Sequence, residues 1–265
     1  MTDAARSAVA VDEGFMALGN ERIEADGATF IRNRDIPGIW DANHVTQVTA
    51  STAVEIPRLL ERVEREFVGF SHRRFHLDFT TPPVFEARLM LEGYERSDSL
   101  VMLLEGELQG RPHRHDVRLV ESEADWEAYT ALHDVDWREY KERTPGGAGG
   151  YDEEVARQMM RSRRSKSPPV RTWMAYVDAR PRAYLSSWAG LDGVGQVEDV
   201  FAHPDFRRQG LATALMHHGV AEARRDGAGP VVICADPADT PKQMYAAMGF
   251  QPVAVKRNYL KRLGA

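Results

Sequence analysis

The most informative segment of the chain reads His203-Pro204-Asp205-Phe206-Arg207-Arg208-Gln209-Gly210-Leu211-Ala212-Thr213. It lies between a strand-like run and a helical pattern, and a glycine in such a turn lets the backbone approach a ligand closely. The start of the helix presents unpaired N–H groups and the positive end of its dipole. Arg207 and Arg208 add cationic donors, and Thr213 adds a hydroxyl. The segment therefore predicts a cradle for a pyrophosphate; the alternative is a basic helix start with a structural glycine.

The sequence on both sides of this segment alternates between strand and helix patterns. The predicted elements of the second half are strand 116–120, a helix after Ser122, helix 152–165, strands 171–177, 182–189 and 195–202, helix 210–225, strand 230–235, helix 240–248 and strand 253–261. Residues 144–150 have the composition of a loop. A strand–helix–strand order implies a parallel pair with a helical crossover. The chain is therefore predicted to have a mixed α/β fold in which most strands are antiparallel.

The first half of the sequence repeats the order of helices and strands predicted for the later part of the second half. It shows a helix with a capping-box start at Thr52 and Glu55, strand 74–79, helix 84–91 and strand 100–104. A Gly-aromatic pair ends the last helix of each half, at 93–94 and at 249–250. At the same offset, Val54 takes the position of Gly210, and Leu89 takes that of Tyr245. We therefore interpret the first half as a degenerate, non-catalytic copy.

This repeat sets the predicted domain organisation. The expected parts are a flexible N-terminal tail or edge strand at 1–27, a degenerate domain at 28–108, a linker at 109–115 and a second domain at 116–265. Because a duplicated chain can bury an interface between its two copies, we expect a monomer, with a dimer as the alternative.

Composition excludes several classes of protein. The 34 basic and 40 acidic residues give a formal net charge of −6, which argues against a nucleic-acid binder that relies on a basic field. The single cysteine, Cys234, excludes an intrachain disulfide and a Cys-rich metal site. The sequence shows neither a signal-peptide pattern nor an apolar run of membrane-spanning length. We expect a soluble, cytoplasmic protein with no nucleic-acid or membrane partner.

Two motifs give the sequence a family resemblance. Arg207-x-x-Gly210-x-Ala212 resembles motif A of the GNAT N-acetyltransferase superfamily, and Tyr245-x-x-x-Gly249-Phe250 resembles a later segment of the same family. The resemblance covers residues 115–263 and, more weakly, the first half. It implies two GNAT-like domains in tandem, each a mixed, mostly antiparallel, splayed sheet flanked by helices.

The resemblance also implies acetyl-CoA as cosubstrate, with no metal. By the family pattern, the backbone around Val200 and Ala202 pairs with the pantetheine arm, and the amides from Arg208 to Ala212, with Thr213, hold the pyrophosphate. The complete set of implied cofactor-binding residues is Val200, Phe201, Ala202, Arg207, Arg208, Gln209, Gly210, Leu211, Ala212 and Thr213.

Two residues are candidates for the chemistry. An alkyl amine is mostly protonated at pH 7, so its attack on a thioester calls for a base. Some family members carry that base on the strand before the cradle, where this chain has Glu198; strand alternation predicts that Glu198 shares a face with Val200 and Ala202. A solvated strand carboxylate is the alternative. Tyr245 falls where the family often places the acid that protonates the CoA thiolate, and a packed helix tyrosine is its alternative.

These observations predict an acyl-CoA-dependent N-acyltransferase that transfers an acyl group, most simply acetyl, to the amine of a small molecule or peptide in a ternary complex. The alternative is a non-catalytic acyl-CoA sensor or scaffold. One other feature is open: His113 and His115 have the H-x-H spacing of two metal ligands, but without a third ligand they are typical of a solvated linker.

Overall fold

The computed structural model describes residues 2–143 and 152–264, so the predicted loop at 144–150 lies outside the described residues. The chain divides into two compact units. The first comprises Met1–Met102, Cys234–Lys242 and Pro252–Ala265, and the second comprises Leu103–Ile233 and Gln243–Gln251. Strands and helices are mixed in both, which confirms the predicted α/β class. None of the described helices is both long and apolar enough to cross a membrane.

The first unit consists of a mixed sheet and three helices. Its elements are α1 (Asp3–Ala17), β1 (Glu21–Ala25), β2 (Ala28–Arg32), β3 (His44–Thr46), α2 (Glu55–Glu66), β4 (His72–Leu77), α3 (Pro83–Leu91), β5 (Glu95–Leu104) and the last strand of the chain, β11 (Gln251–Arg262). The strands lie in the order β1-β2-β3-β4-β11-β5. The β3–β4 pair is parallel, and β1–β2, β2–β3 and β4–β11 are antiparallel.

The N-terminal segment differs from the expectation of a flexible tail or edge strand at 1–27. Residues 3–17 form a helix whose apolar side chains Val9, Val11 and Phe15 are buried, and a β-hairpin follows. The adjacent charged residues Asp12 and Glu13 are buried as well. Since charged residues normally face solvent, these two obscure the periodicity by which the helix would be recognised.

Helix α2 follows the predicted pattern. Its buried face contains Ile56, Leu59 and Val63. Its first turn is closed by the predicted capping box: the Glu55 backbone N–H donates to Thr52 Oγ1 at 3.2 Å, and the Thr52 N–H donates to Glu55 Oε2 at 3.1 Å. Side chains of the segment itself therefore cap the N-terminus of α2.

The second unit has a sheet of the same mixed type. Its elements are β6 (Asp116–Leu119), α4 (Glu123–Arg143), α5 (Glu153–Ser165), β7 (Val170–Val177), β8 (Arg180–Leu191), β9 (Val194–Ala202), α6 (Leu211–Arg225), β10 (Val231–Ala235) and α7 (Pro241–Ala247). The strand order is β10-β9-β8-β7-β6. The β9–β10 pair is parallel, and the β6–β7, β7–β8 and β8–β9 pairs are antiparallel.

Helices cover both faces of this sheet. On one face, α6 lies close to β8, because a Cβ on Gly219 would lie 2.4 Å from Leu185 Cδ2. On the other face, Tyr129 and Leu132 of α4 and Met160 of α5 form a core with Tyr184 and Phe201 of the sheet. The strand β9 therefore carries side chains between two helical layers.

The C-terminal strand differs from the sequence-based division at 109–115. The sequence assigns residues 253–261 to the second domain, but β11 lies between β4 and β5 in the sheet of the first unit. Its register pairs Arg257 with Leu77 and Arg262 with His72. The local residue pattern identifies a segment as a β-strand. It does not identify the neighbouring strand with which that segment pairs.

Candidate active site

A β-bulge interrupts β9 in the middle of the predicted site. In the register of β8 and β9, Tyr184 pairs with Phe201 and Ser186 pairs with Glu198. Two residues of β9 therefore lie opposite one residue of β8, and Asp199 has a left-handed φ of 59°. A bulge of this kind bends the strand and redirects the side chains beside it.

The bulge changes the face on which Glu198 lies. Ser186 and Tyr184 are two residues apart on β8 and share a face, so their partners Glu198 and Phe201 share a face of β9. Phe201 packs on Tyr184 with a ring-centroid distance of 5.3 Å. The expectation that Glu198 shares a face with Val200 and Ala202 is therefore wrong, because it assumed an uninterrupted alternation. Glu198 therefore lies on the same face of the sheet as Tyr184 and Phe201.

Glu198 has a polar neighbour on its own strand. Gln196 Nε2 donates to Glu198 Oε2 at 3.1 Å. Gln196 is completely buried and Glu198 is half-buried. A carboxylate held in this way keeps a defined orientation.

The strands β9 and β10 pair over a short length only. Their ladder joins Val231 with Gly195 and Val232 with Gln196, and it does not follow β9 to its end at Ala202. Over the second half of β9, the backbone edge next to β10 has no ladder partner on β10. Backbone groups along such an edge need partners, and an extended, peptide-like ligand can supply them.

The N-terminus of α6 follows β9 after a loop over residues 203–210, which contains a 3-10 turn at Pro204–Phe206. Gly210 is its N-cap with a left-handed φ of 83°, and Arg208 also has a positive φ of 60°. Its N-cap, being a glycine, has no side chain to cap the helix, and its first turn contains no acidic residue. Its first N–H groups and its dipole are therefore available to an anion, in contrast to those of α2.

The predicted cofactor-binding residues fall into three groups by their exposure to solvent. Phe201 and Leu211 are buried and serve the core. Val200, Ala202, Gly210, Ala212 and Thr213 are half-buried, and Arg207, Arg208 and Gln209 are exposed. The structure thus brings the predicted residues together at one end of β9 and α6.

Arg207 is engaged with its own chain. Its guanidinium forms an ion pair with Glu139 of α4 at 2.5 Å, and its Nε donates to the carbonyl oxygen of Ala202 at 3.1 Å. Arg207 therefore links the loop to α4 and holds the end of β9, whereas the exposed Arg208 remains the more accessible cation of the loop.

Sequence reasoning missed a polar cluster between β8–β9 and the helices α4 and α5. Arg163 of α5 forms an ion pair with Asp199 at the bulge, and the Tyr184 hydroxyl donates to the carboxylate of Asp136. Burial raises the pKa of Asp136 above its usual range. Burial also lowers the pKa of the neighbouring His133 to about 3. Arg163 stands among other basic residues of α5, a composition that is typical of a solvated helix face, so the sequence gives no signal for this cluster.

Tyr245 is buried in α7. Its ring makes an edge contact with Phe250, with a centroid distance of 6.3 Å, and its carbonyl accepts from the Phe250 N–H at 3.1 Å. The side chain is 5% exposed. This geometry agrees with the packed-tyrosine alternative for the ring.

Comparisons with known proteins identify this fold. Residues 126–250 match the model of the acetyltransferase (GNAT) family, so this part of the chain is a GNAT domain. A GCN5-related N-acetyltransferase from Kribbella flavida is similar over 100% of this chain and 97% of its own, with a TM-score of 0.70 and 20% identity. A functionally unknown conserved protein from Staphylococcus epidermidis is similar over 92% and 95%, with a TM-score of 0.71 and 18% identity.

The tandem arrangement also has a known counterpart. A tandem GNAT protein from the clavulanic acid biosynthesis pathway is similar over 90% of this chain and 79% of its own, with a TM-score of 0.58 and 14% identity. No curated protein sequence matches the chain. These likenesses confirm the predicted fold of two GNAT-like domains.

Proposed function

We propose that this chain, whose residues 126–250 form a GNAT domain, is an acyl-CoA-dependent N-acyltransferase that transfers acetyl from acetyl-CoA to a primary amine. One observation carries the proposal: the N-terminus of α6, which begins at the left-handed Gly210, is joined by the short loop 203–210 to the strand edge that β10 leaves unpaired. An anion site and an extended edge are the two features that a long, phosphorylated thioester needs.

The residues at this place fit acyl-CoA. The amides from Arg208 to Ala212 and the hydroxyl of Thr213 would hold the pyrophosphate, because helix N-termini favour anions and the first turn of α6 contains no acidic residue. The unpaired edge of β9 near Val200 would pair with the amide groups of the pantetheine arm. Bound acyl-CoA supplies a thioester carbonyl that an amine can attack.

Glu198 is the proposed general base. An alkyl amine near neutral pH carries a proton that it must lose before it attacks. The Glu198 carboxylate, oriented by Gln196, would accept this proton directly or through a water molecule. Asp199, the other carboxylate at the bulge, is neutralised by Arg163 and is therefore the poorer candidate.

The layer of α4 and α5 is the proposed side of entry for the acceptor. Glu198 lies on the face of the sheet that this layer covers, and α4 contributes Asp136 and Glu139. Both of these carboxylates have partners, Tyr184 for Asp136 and Arg207 for Glu139, so they line this side as paired groups. We propose a small-molecule or peptide amine as the acceptor.

Tyr245 is proposed as the acid that protonates the thiolate. A phenol with a pKa near 10 is a suitable donor to a thiolate leaving group. Its buried ring fixes the position of the side chain, so a packing role and an acid role are compatible. Kinetics of the phenylalanine variant distinguishes them.

The first unit is proposed to be a structural copy without a cofactor site of its own. The Thr52–Glu55 capping box closes the N-terminus of α2, and Val54 stands where the second copy has Gly210. We propose that the chain acts as a monomer with a single acyl-CoA site.

The test is a turnover screen of the full chain with acetyl-CoA against a library of small amines and amino-terminal peptides, in which release of free thiol is followed. Amine-dependent thiol release supports the transferase. Tight binding of acetyl-CoA with no turnover on any amine would support the alternative of a sensor or scaffold.

A further inference from the structure

Four histidines lie around one open cavity beside the cradle. The cavity has a volume of about 580 Å³ and is lined by His113, Arg114, His115, Ala214, His217 and His218. The first three belong to the segment between the two halves, and the last three belong to α6. We call this space the histidine cavity.

The histidine cavity is continuous with the start of α6. A Cβ on Gly210 would lie 2.3 Å from Cγ of His113, so the imidazole of His113 rests on the glycine. His115 Nε2 lies 2.9 Å from the carbonyl oxygen of Gln209. His217 follows Gly210 by two helical turns, and hence lies on the same face of α6, about 10 Å further along its axis.

The chemistry of the cavity favours an anion. The residues that line it in the described part of the chain carry imidazole and guanidinium groups and no carboxylate. The Nε2 atoms of His217 and His218 are buried and have no hydrogen-bond partner among the described atoms. Because these two atoms are closed to solvent, the cavity meets the rings of His217 and His218 at their other atoms.

Burial lowers the pKa of both His217 and His218, so both rings would meet a phosphate oxygen as neutral imidazoles. His217 faces His113 across the cavity. His218 packs on Trp173 of β7 and has Glu222, Arg225 and Arg171 nearby. Glu222 is already paired with Arg171 and Arg225, so its negative charge is balanced.

A metal ion suits this arrangement less well. Metal coordination requires three or more ligand atoms around one point, and the described residues do not bring three of these imidazole nitrogens within 4.8 Å of one another. Phosphate has several oxygens and can accept hydrogen bonds from donors that are farther apart.

We propose that the histidine cavity binds the 3′-phosphate of CoA, so that His113 and His217 make the site specific for the 3′-phosphorylated cofactor. This inference rests on the proposed function. The 3′-phosphate is carried by the ribose that adjoins the pyrophosphate, and the cavity adjoins the helix start at which the pyrophosphate would bind. A second source of the same chemistry is free phosphate.

The experiment is titration calorimetry of the full chain with CoA and with 3′-dephospho-CoA. We expect the wild type to bind CoA about tenfold more tightly, the order of effect that a charge-assisted hydrogen bond produces. In His217→Ala, the affinity for CoA should fall towards that for dephospho-CoA, while the latter stays unchanged. In His113→Ala, whose ring also touches Gly210 of the cradle, the ratio of the two affinities should fall towards one. The matched control is Arg161→Ala, which removes an exposed cation paired with Glu154 on α5 and should change neither affinity.

The other outcomes are distinct. Equal wild-type affinities for the two compounds would overturn the inference and leave the proposed function standing. A preference for CoA that survives both substitutions would place the 3′-phosphate elsewhere and overturn it too. Inorganic phosphate that binds the wild type but not His217→Ala, without a preference for CoA, would mean a separate anion site. Failure of both compounds to bind would overturn the proposed function together with this inference.

Discussion

Asp12 of α1 and Lys256 of β11 form an ion pair that is almost completely buried, with side-chain exposures of 2% and 3%. Burial alone would raise the pKa of Asp12, but the Lys256 ammonium holds it below its ordinary value. The Cys234 thiol donates to the same carboxylate at 3.2 Å. The pair thus joins the two ends of the chain within the first unit.

The Asp12–Lys256 pair gives a stability prediction. Lys256→Met leaves a buried carboxylate without its partner, so we expect the free energy of unfolding to fall by about 3–5 kcal/mol. The double variant Asp12→Leu/Lys256→Met should recover much of that loss, because it removes both charges. Urea unfolding followed by circular dichroism measures both. Equal stability of Lys256→Met and wild type would mean that the pair is solvated in solution.

The second prediction concerns the cradle. In Gly210→Ala, the new Cβ meets the His113 ring and the backbone φ of 83° becomes strained, so we expect at least about tenfold weaker binding of acetyl-CoA. Gly227→Ala is the matched control: it has a φ of 106° at the other end of α6, and its Cβ meets nothing within 4 Å. The control should lose stability and keep its affinity. Calorimetry that finds the affinity of Gly210→Ala unchanged would contradict the site.

The third prediction concerns Glu198. Glu198→Gln should lower kcat by ~10²–10⁴ with the affinity for acetyl-CoA unchanged, and the loss should narrow at high pH as free amine accumulates. Asp205→Asn is the control, because Asp205 is 81% exposed on the adjacent loop. Steady-state kinetics between pH 6 and about 10 measures the effect. A uniform loss at every pH would indicate a structural role.

Tyr245 gives the fourth prediction. Tyr245→Phe keeps the buried ring and its contact with Phe250 but removes the hydroxyl. If the hydroxyl protonates the thiolate, kcat should fall by ~10-fold or more, with melting temperature and acetyl-CoA affinity close to wild type. Wild-type turnover in this variant would show that Tyr245 contributes packing and does not act as the acid.

Local features of this fold were predictable from the sequence. The segment 203–213 predicts a strand, a glycine turn and a helix start, and the structure has all three. Both capping boxes were recognisable, since Ser122 and Asp125 also exchange the expected hydrogen bonds, at 2.9 and 3.2 Å. These features depend on residues close in sequence, which a pattern records directly.

Features that depend on distant partners were not predictable. Asp12 is buried in an ion pair with Lys256, so α1 has a charged residue at a position where the pattern of an amphipathic helix requires an apolar one. Asp199, at the bulge in β9, forms an ion pair with Arg163 of α5, which is distant in sequence. Because an ideal alternation along β9 does not include the bulge, it places Glu198 on the wrong face of the sheet. The His113–Gly210 contact likewise joins segments about a hundred positions apart, which no local pattern encodes.

The buried His76 of the first unit predicts that the stability of the protein depends on pH. His76 is 2% exposed, and burial, with further contributions from Arg74 and Lys256, lowers its pKa from 6.5 to about 4. The unfolded state therefore binds more protons than the folded state between these values, so stability falls as the pH decreases from about 6.5 to about 4. His76→Gln should lose less stability over this range than wild type. The control His113→Gln, at an exposed histidine, should follow the wild type when melting temperatures are compared at pH 7 and about 5.

The last prediction concerns the position of β11. The strand lies between β4 and β5 in the sheet of the first unit, and its Tyr259 is completely buried in the core of that unit. A fragment of residues 112–265 has β11 but lacks both neighbours, and a fragment of residues 1–111 has the neighbours but lacks β11. Since an unpaired strand with a buried aromatic promotes aggregation, we expect each fragment expressed alone to be insoluble or to melt well below the full chain. Co-expression of the two should restore a soluble complex that purifies together, because β11 then regains β4 and β5. A fragment 112–265 that is soluble alone, melts like the full chain and acetylates the same amine at full rate would show that β11 does not need the first unit.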